Sequence, residues 1–157
     1  MTRGSVVFLD TNVLLSATAA KRHDHSLARG LFRVSHDAGC HLALSGQVLR
    51  EYLVVATRPV EVNGLGMEQT QALRNVEWFL AQTVFLEETK TVFDRLMSLA
   101  RESNAVGKHL HDTNVAAVMR VHGIRVIVTA NADDYSAWSE VTPVSVDEAH
   151  ELFAAVT

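Results

Sequence analysis

The 157-residue chain is poor in the residue types that build several common kinds of site. Its single cysteine, Cys40, cannot form an intrachain disulfide and is too few for a Cys-based zinc site, which fits a reducing compartment. Aromatic residues make up only 6% of the chain, which argues against an extended base-stacking surface. The sequence also contains no glycine-rich phosphate loop, no Gly-x-Ser-x-Gly motif and no Cys/His catalytic pair.

Long hydrophobic runs are missing as well. The first apolar run, Val6 to Leu9, ends at Asp10 and is well short of a signal-peptide core of roughly 7–15 residues. No segment approaches the roughly 18 apolar residues of a membrane span. We therefore expect a soluble, cytoplasmic protein that has no membrane segment.

Positive charge is in deficit, since 14 Lys and Arg face 18 Asp and Glu and the formal net charge is −4. An acidic chain is not a bulk polyanion binder, which excludes a histone-like or arginine-rich tail mode of nucleic-acid contact. The charge is uneven along the chain. Residues 1–60 carry seven basic against four acidic residues, residues 61–111 five against seven, and residues 112–157 two against seven.

Short strands alternate with helices along the whole sequence. A hydrophobic content of 48% is enough for a proper core, and at this length we expect one domain over residues 1–157. The patterns predict strands at 5–9, 41–44, 84–86 and 125–129, and helices at 26–39, 45–56, 68–82, 91–102, 112–123 and from 145 onward. This order predicts an α/β domain in which helices cover a mostly parallel sheet of four or five short strands.

Details of these elements can be tested against a structure. Asp10, Thr11 and Asn12 are interpreted as turn or cap residues after the first strand. Ser45 is the expected N-cap of the helix at 45–56, and Gly39 is the expected C-cap of the helix at 26–39. The helix at 68–82 is expected to bury a face that contains Leu73, Val76 and Leu80.

Polar side chains follow the strands where ligands bind in parallel sheets, outside the carboxyl ends. Asp10 directly follows the first strand, and Thr129, Asn131 and Asp134 follow the last clear one. Glu51 lies at the edge of the buried face of a helix made otherwise of Val, Leu, Tyr and Ala apart from the neighbouring Arg50. A carboxylate at that position needs a partner.

Asp112 opens the helix predicted at 112–123, where an aspartate is also an ordinary N-cap. Asp10 on its own could be turn chemistry, and Glu51 on its own could pair with an arginine. As a set, however, carboxylates that meet at one sheet edge repel one another unless a cation lies between them, and an all-oxygen cluster suits Mg²⁺ or Mn²⁺ rather than zinc. The residues alone leave a metal site and scattered caps and ion pairs both open.

Two histidine pairs have a metal-like composition, His23 with His25 and His109 with His111. No third and fourth ligand falls at a zinc-finger or zincin spacing, so we interpret both pairs as exposed and solvated. His111 is adjacent to Asp112 and could assist proton transfer near a site.

Four ordered segments resemble the PIN-domain family, and specifically the VapC ribonuclease toxins of toxin–antitoxin pairs. The segments are Phe8-Leu9-Asp10-Thr11-Asn12-Val13-Leu14, Ser45-x-x-Val48-x-x-Glu51-Tyr52, His111-Asp112-Thr113-Asn114-Val115-Ala116-Ala117 and Val128-Thr129-Ala130-Asn131-Ala132-Asp133-Asp134-Tyr135. The resemblance spans residue 6 to about residue 146. It implies a three-layer α/β/α fold, Mg²⁺- or Mn²⁺-dependent cleavage of RNA, a cognate antitoxin and a homodimer.

The resemblance also assigns roles to individual residues. The three acids of the family fall on Asp10, Glu51 and Asp112, and a fourth falls at Asp134 because Asn131 stands at the other variable position and an amide attracts a cation less strongly. Asp133 is the neighbouring acid that leaves this last assignment open. On this basis Asp10, Asp112 and Asp134 are the expected metal ligands and Glu51 orients or deprotonates the attacking water. The supporting polar residues are Thr11, Asn12, Asn114, Thr129 and Asn131.

An RNA substrate must reach this acidic edge through a local basic surface. The candidate contacts lie mainly in the first 60 residues, and they are Lys21, Arg22, Arg29, Arg33, Arg58 and, from the other side, Lys108. Two rival functions stay open. A haloacid-dehalogenase-like phosphatase also places an aspartate after its first strand, but its second aspartate is here Asn12. The other rival is a binding module of the same fold without catalysis.

Overall fold

The computed structural model describes residues 1–156. Five short strands and seven α-helices alternate along these residues. In chain order they are β1 (Val6–Leu9), α1 (Thr11–Thr18), α2 (His25–Asp37), β2 (His41–Ser45), α3 (Gly46–Thr57), α4 (Gln69–Gln82), β3 (Val84–Leu86), α5 (Lys90–Ser103), α6 (His109–Val121), β4 (Val126–Val128), β5 (Thr142–Val144) and α7 (Val146–Ala154). Two 3₁₀ turns, Val60–Val62 and Ala132–Tyr135, complete the chain.

The five strands form one parallel sheet in the order β3-β2-β1-β4-β5. The central strand β1 pairs with β2 on one side and with β4 on the other, so that Phe8 lies opposite Ala43 and Ile127. The predicted α/β class with a mostly parallel sheet is confirmed. The four strands named from the sequence are present, and β5 is an additional strand at the edge beside β4.

The strand order reverses direction at the centre of the sheet. The chain moves outward from β1 to β2 and β3, and then returns past them to β4 and β5. Since crossovers between parallel strands are right-handed, the two directions place their helices on opposite faces. The packing agrees, because α2 packs on α1 and α7, α3 packs on α1 and α4, and α5 packs on α6. The result is a three-layer α/β/α domain whose switch point lies between β1 and β4.

The core fills both sides of this sheet. Phe8, Leu9 and Ile127 in the central strands are fully buried, as expected for strands that are covered on both faces. On one face the ring of Tyr52 packs edge-on against that of Phe79, with ring centroids 5.2 Å apart. The central strands β1 and β4 are thus covered by side chains on both faces.

Two local predictions need correction. Asp10 caps helix α1, as the interpretation of Asp10, Thr11 and Asn12 as turn or cap residues allowed, but Thr11 and Asn12 begin a helix that was not predicted. This helix is buried almost all round at Val13, Leu14, Leu15, Ser16 and Ala17. A helix that is buried on every side shows no period of 3.6, so its pattern could not be detected. In α4, Ala72 and Phe79 are buried, while Leu73 and Leu80 are 45% and 42% exposed. Val76, the third predicted residue, is half-buried against the core. The buried face is therefore rotated from the predicted one by less than one residue, or less than about 100°.

Helix ends give one confirmed prediction and one correction. Gly39 follows the end of α2 with φ +67°, a conformation that favours glycine after a helix. Ser45 precedes α3, but its hydroxyl makes no capping hydrogen bond and is buried without a partner among the described residues. Cys40 is buried and free. Within residues 1–156, no helix is long and apolar enough to cross a membrane.

Candidate active site

Asp10 lies at the switch point, at the carboxyl end of β1. Its Oδ1 accepts a hydrogen bond from the backbone N–H of Thr11 at 2.6 Å, so the side chain caps α1. Its Oδ2 accepts from the amide of Asn12 at 2.7 Å and from the hydroxyl of Thr129 at 2.6 Å. Burial raises the pKa of Asp10, as does the charge of Glu51, although the three hydrogen bonds act in the opposite direction. The buried carboxylate is thus held in one orientation.

Asn12 and Thr129 join the loops that follow β1 and β4. The Asn12 amide also donates to Thr129 Oγ1 at 3.1 Å, and its Oδ1 accepts from the backbone N–H of Ala130 at 3.0 Å. Asn131 donates its backbone N–H to Thr129 Oγ1 at 3.0 Å, and Asn131 itself is exposed. Among the supporting residues proposed at the carboxyl end of β4, Thr129 therefore contacts Asp10 directly and Asn131 supports it through the backbone.

Glu51 projects from α3 into the same region. Its Oε2 accepts from the hydroxyl of Thr11 at 2.9 Å, and its Oε1 accepts from the side-chain amide of Gln47 at 2.8 Å. His111 Nδ1 lies 3.2 Å from the same Oε1. The structure therefore supplies the partners that a half-buried carboxylate requires, and His111 lies beside the cluster.

Asp112 and Asp134 complete a group of four carboxylates. Helix α6 begins at His109, so the prediction that Asp112 opens this helix was wrong: it lies one turn inside, because 109–111 extend the helix without an apolar period. Desolvation raises the pKa of Asp112 to about 6, and the charges of Asp134, Asp10 and Glu51 act in the same direction. The nearby His109 partly opposes this shift.

The geometry separates the two neighbouring acids at the fourth position. Asp134 is half-buried and lines one cleft together with Asp112, whereas Asp133 is exposed and does not line it. Tyr135 is buried next to them, and burial raises the pKa of its hydroxyl, with smaller contributions from the charges of all four carboxylates. The charges of the four carboxylates therefore act on Tyr135, and those of Asp134, Asp10 and Glu51 also act on Asp112.

A cleft of about 580 Å³ opens on three of the four carboxylates, Glu51, Asp112 and Asp134, while Asp10 lies next to the lining residue Thr11. It is lined by Thr11, Gln47, Arg50, Glu51, Val54, Val55, Arg58, Lys108, His111, Asp112 and Asp134. Of the six basic residues proposed as RNA contacts, Arg58 and Lys108 line the cleft. Arg22 binds the backbone oxygen of Asn12 at 3.2 Å instead, and Lys21, Arg29 and Arg33 are not among the lining residues. Arg50 lines the cleft and was not proposed from the sequence.

Glu88 and Gln47 are two further site residues that the sequence analysis missed. Glu88 Oε1 accepts from the backbone N–H of Gln47 at 2.5 Å, in the first turn of α3. Its Oε2 lies 3.4 Å from the guanidinium of Arg50. Glu88 therefore provides the N-terminal cap of α3 that Ser45 does not provide. The contact joins residues 41 positions apart, which no local pattern reveals.

Replacing Glu88 by alanine is expected to destabilise the fold by about 1 kcal/mol, the usual cost of losing a helix cap. For a domain of this size the melting temperature falls by about 2–4 °C. Differential scanning calorimetry measures this, with Glu87→Ala as the matched control because the side chain of Glu87 is exposed and makes no recorded hydrogen bond in residues 1–156. Equal melting temperatures for the two variants would contradict the capping role.

The donor set at the cleft consists of oxygens, and the charges of Asp134, Asp10 and Glu51 contribute to the raised pKa of Asp112. Across residues 1–156, no three His, Cys, Asp or Glu side chains are arranged closely enough to form a ready metal site. Burial, and to a lesser degree the charges of neighbouring carboxylates, raises the pKa values of Asp10 and Asp112. The chemistry of the side chains fits a hard divalent cation such as Mg²⁺, which binds carboxylates through a partly hydrated shell.

Comparisons with known proteins agree with this geometry. The family model for the PIN domain matches residues 7–141. A search of curated proteins found no significant match. Among solved structures, the chain is similar to VapBC2 from Rickettsia felis bound to a DNA fragment from their promoter, with a TM-score of 0.68, 14% identity, and coverage of 89% of this chain and 98% of that chain.

Two further solved structures show the same fold. DNA-bound VapBC from Salmonella typhimurium has a TM-score of 0.66 and 18% identity, with coverage of 90% of this chain and 98% of that chain. Mycobacterium tuberculosis VapC20, described as a sarcin-ricin loop cleaving toxin, has a TM-score of 0.63 and 19% identity, with coverage of 84% and 95%. At these identities the likeness establishes the shared fold.

Proposed function

This chain belongs to the PIN-domain family, and from that premise we propose that it is a Mg²⁺-dependent endoribonuclease, the toxin of a type II toxin–antitoxin pair. The observation that carries the proposal is the set of four carboxylates, Asp10, Glu51, Asp112 and Asp134, at the switch point of the sheet. Basic side chains line the cleft that leads to it. A polyanionic substrate and a cation that offsets the carboxylates suit such a surface.

In this proposal Asp10, Asp112 and Asp134 hold the Mg²⁺ ion, for which Mn²⁺ can substitute. When bound, the ion lowers the pKa of water and neutralises charge that develops on the scissile phosphate. Asp10 is already oriented by Thr11, Asn12 and Thr129. Its position therefore needs little reorganisation, and Asp112 and Asp134 are supplied by two further elements, α6 and the 3₁₀ turn Ala132–Tyr135.

Glu51 orients the attacking water and accepts its proton. Thr11 and Gln47 donate to its two oxygens and so hold the carboxylate in one orientation. Arg58, Lys108 and Arg50 line the cleft and would bind neighbouring phosphates of the RNA. Attack by water leaves a 5′-phosphate and a 3′-hydroxyl, and the 2′-hydroxyl of the RNA is not the nucleophile.

Solved structures that share this fold support the proposed toxin role. Solved structures of the same fold include VapBC complexes from Rickettsia felis and Salmonella typhimurium and a toxin–antitoxin complex from Klebsiella pneumoniae. We therefore propose a cognate antitoxin as the partner of this chain, a homodimer as its assembly, and the cytoplasm as its location. The phosphatase alternative loses support, because Asn12 donates to Asp10 where a phosphatase of that class has a second acid.

Removal of divalent metal is expected to abolish cleavage. Purified protein is incubated with structured RNA in Mg²⁺, in EDTA, and in EDTA followed by excess Mn²⁺, and the products are separated on a gel and their ends determined. We expect cleavage with Mg²⁺, none with EDTA, and recovery with Mn²⁺, with 5′-phosphate ends. A phosphate monoester is assayed in parallel. Intact RNA under every condition, or turnover of the monoester alone, would sink the nuclease proposal.

A further inference from the structure

The side chain of Gln47 lies at the base of the cleft and has all of its hydrogen-bonding groups in use. It is 6% exposed. Its Nε2 donates to Glu51 Oε1 at 2.8 Å and to the backbone oxygen of His111 at 3.0 Å. Its Oε1 accepts from the amide of Asn114 at 2.6 Å. A buried amide with both donors and its acceptor engaged is held firmly in place.

These partners permit only one orientation of the Gln47 amide. If the amide were flipped, its oxygen would face the carboxylate of Glu51 and the carbonyl of His111, neither of which donates. Its NH₂ group would meet the NH₂ group of Asn114. Because the backbone N–H of Gln47 is also bound by Glu88 at 2.5 Å, both the main chain and the side chain of this residue are fixed.

The contacts of Gln47 also cross from one helix layer to the other. Gln47 and Glu51 lie on α3, in the layer that packs with α1 and α4, whereas His111 and Asn114 lie on α6, in the layer that packs with α5. Gln47 thus links Glu51 to the helix that carries Asp112. Gln47 and Glu51 lie one helical turn apart on α3, a spacing at which their side chains can contact each other.

We propose that Gln47, held by Asn114, is a positioning residue that fixes the carboxylate of Glu51 within the cleft, an inference that rests on the proposed nuclease function. Gln47 acts through Glu51 and, within residues 1–156, makes no hydrogen bond to Asp10, Asp112 or Asp134. Its loss therefore misplaces the group that accepts the proton and leaves the ion-binding carboxylates intact. Loss of the Gln47 side chain is therefore expected to lower kcat.

The experiment compares Gln47→Leu, which has a similar volume and no hydrogen bonds, with Gln69→Leu on the exposed first turn of α4 as the matched control. We expect kcat for RNA cleavage to fall by about 10–100-fold in Gln47→Leu, as is typical when the partner that orients a catalytic group is lost. KM and the affinity for Mn²⁺, measured by calorimetry on the protein alone, change by less than about threefold. A parallel loss of Mn²⁺ affinity overturns the inference.

Two cycles of variants test the chain of contacts. Asn114→Leu should add little to the loss of kcat in Gln47→Leu, and Gln47→Leu should add little in the Glu51→Gln background, because each residue acts through the next. Losses of kcat that multiply in either double-mutant cycle would contradict the proposed chain of contacts.

A readout without RNA separates this inference from the proposed function. In NMR of the metal-free protein, the side-chain NH₂ protons of Gln47 should exchange with water more slowly than those of Gln69, and Asn114→Leu should remove that protection. Slow exchange in a protein that cleaves no RNA would refute the nuclease and retain the network. Exchange as fast as that of Gln69 would refute the positioning role, whatever the RNA assay shows.

Discussion

The Asp10→Asn variant is expected to cleave RNA about 10³-fold more slowly than the native chain. Asp10 is the one carboxylate of the four that is already oriented by three hydrogen bonds, so it supplies a preset ligand to the cation. Loss of its charge weakens ion binding and the stabilisation of charge on the phosphate. A loss of about 4 kcal/mol of transition-state stabilisation corresponds to this factor.

The same variant is expected to remain folded. An asparagine at position 10 keeps one oxygen that can accept hydrogen bonds from the surrounding donors. Its NH₂ group replaces the second carboxylate oxygen and must therefore face a group that donates to that oxygen in the native chain. The lost hydrogen bond costs about 1 kcal/mol. Removal of a buried charge, whose pKa is already raised by desolvation, acts in the opposite direction. Circular dichroism and thermal melts should therefore show a native-like transition.

Single-turnover cleavage of a labelled RNA measures the effect, with Asp37→Asn as the control because Asp37 is an exposed carboxylate at the end of α2. The control should cleave at the native rate within about twofold. If Asp10→Asn is folded and cleaves as fast as Asp37→Asn, the carboxylate cluster is not the catalytic site.

The sequence was most informative where a site residue follows directly from a strand. Asp10 and Thr129 come immediately after β1 and β4, and the rule that ligands bind at the carboxyl ends of parallel strands predicts their proximity. Gln47 and Glu88 could not be found in this way. Apart from the contact of Gln47 with Glu51 one helical turn away, their contacts join residues 26 to 67 positions apart. A glutamine in the first turn of a helix also has many ordinary explanations. Only the packed structure shows which side chains meet.

The same distinction holds for the fold. The β-branched runs of β1 and β4 and the caps between them predict a parallel α/β sheet. Helix α1 was missed because its residues are buried on nearly every side, and β5 because three residues that include Pro143 are a weak strand signal at a sheet edge. The face of α4 was misjudged because Leu73 and Leu80 are exposed despite being apolar. Surface leucines are common, and periodicity alone cannot tell them from core leucines.

Metal-free protein is expected to lose stability as the pH rises from about 4 to about 7, and Mg²⁺ is expected to restore it. Folding raises the pKa of Asp112 from 3.8 to about 6 and raises that of Asp10 as well. An acid whose pKa is raised by folding stabilises the folded state below its unfolded pKa, and this contribution is lost as the pH rises through the folded value. At pH 7, above its folded pKa of about 6, the carboxylate of Asp112 is mostly ionised and is repelled by its acidic neighbours unless a cation binds.

Asp112→Asn isolates this effect from all other titrating groups. Water screens part of the repulsion, since the Asp112 side chain is 25% exposed. We therefore expect the variant to melt about 2–4 °C above the native chain in EDTA at pH 7, which corresponds to about 1 kcal/mol. The difference should shrink toward pH 4. With Mg²⁺ at about 100 times its Kd, the native chain should gain about 2.7 kcal/mol and the variant much less.

Calorimetry at pH 4, 5, 6 and 7, with and without Mg²⁺, measures the melting-temperature difference between variant and native protein and the stability that each gains from Mg²⁺. Asp37→Asn serves again as the control, because an exposed charge far from the cleft should follow the native curve. The test depends on whether the Asp112→Asn variant or the native chain has the higher melting temperature. A variant that melts below the native chain in EDTA at pH 7 would show that Asp112 stabilises the fold. An equal gain from Mg²⁺ in variant and native protein would place the ion away from Asp112. Either result would separate the raised pKa of this carboxylate from cation binding in the cleft.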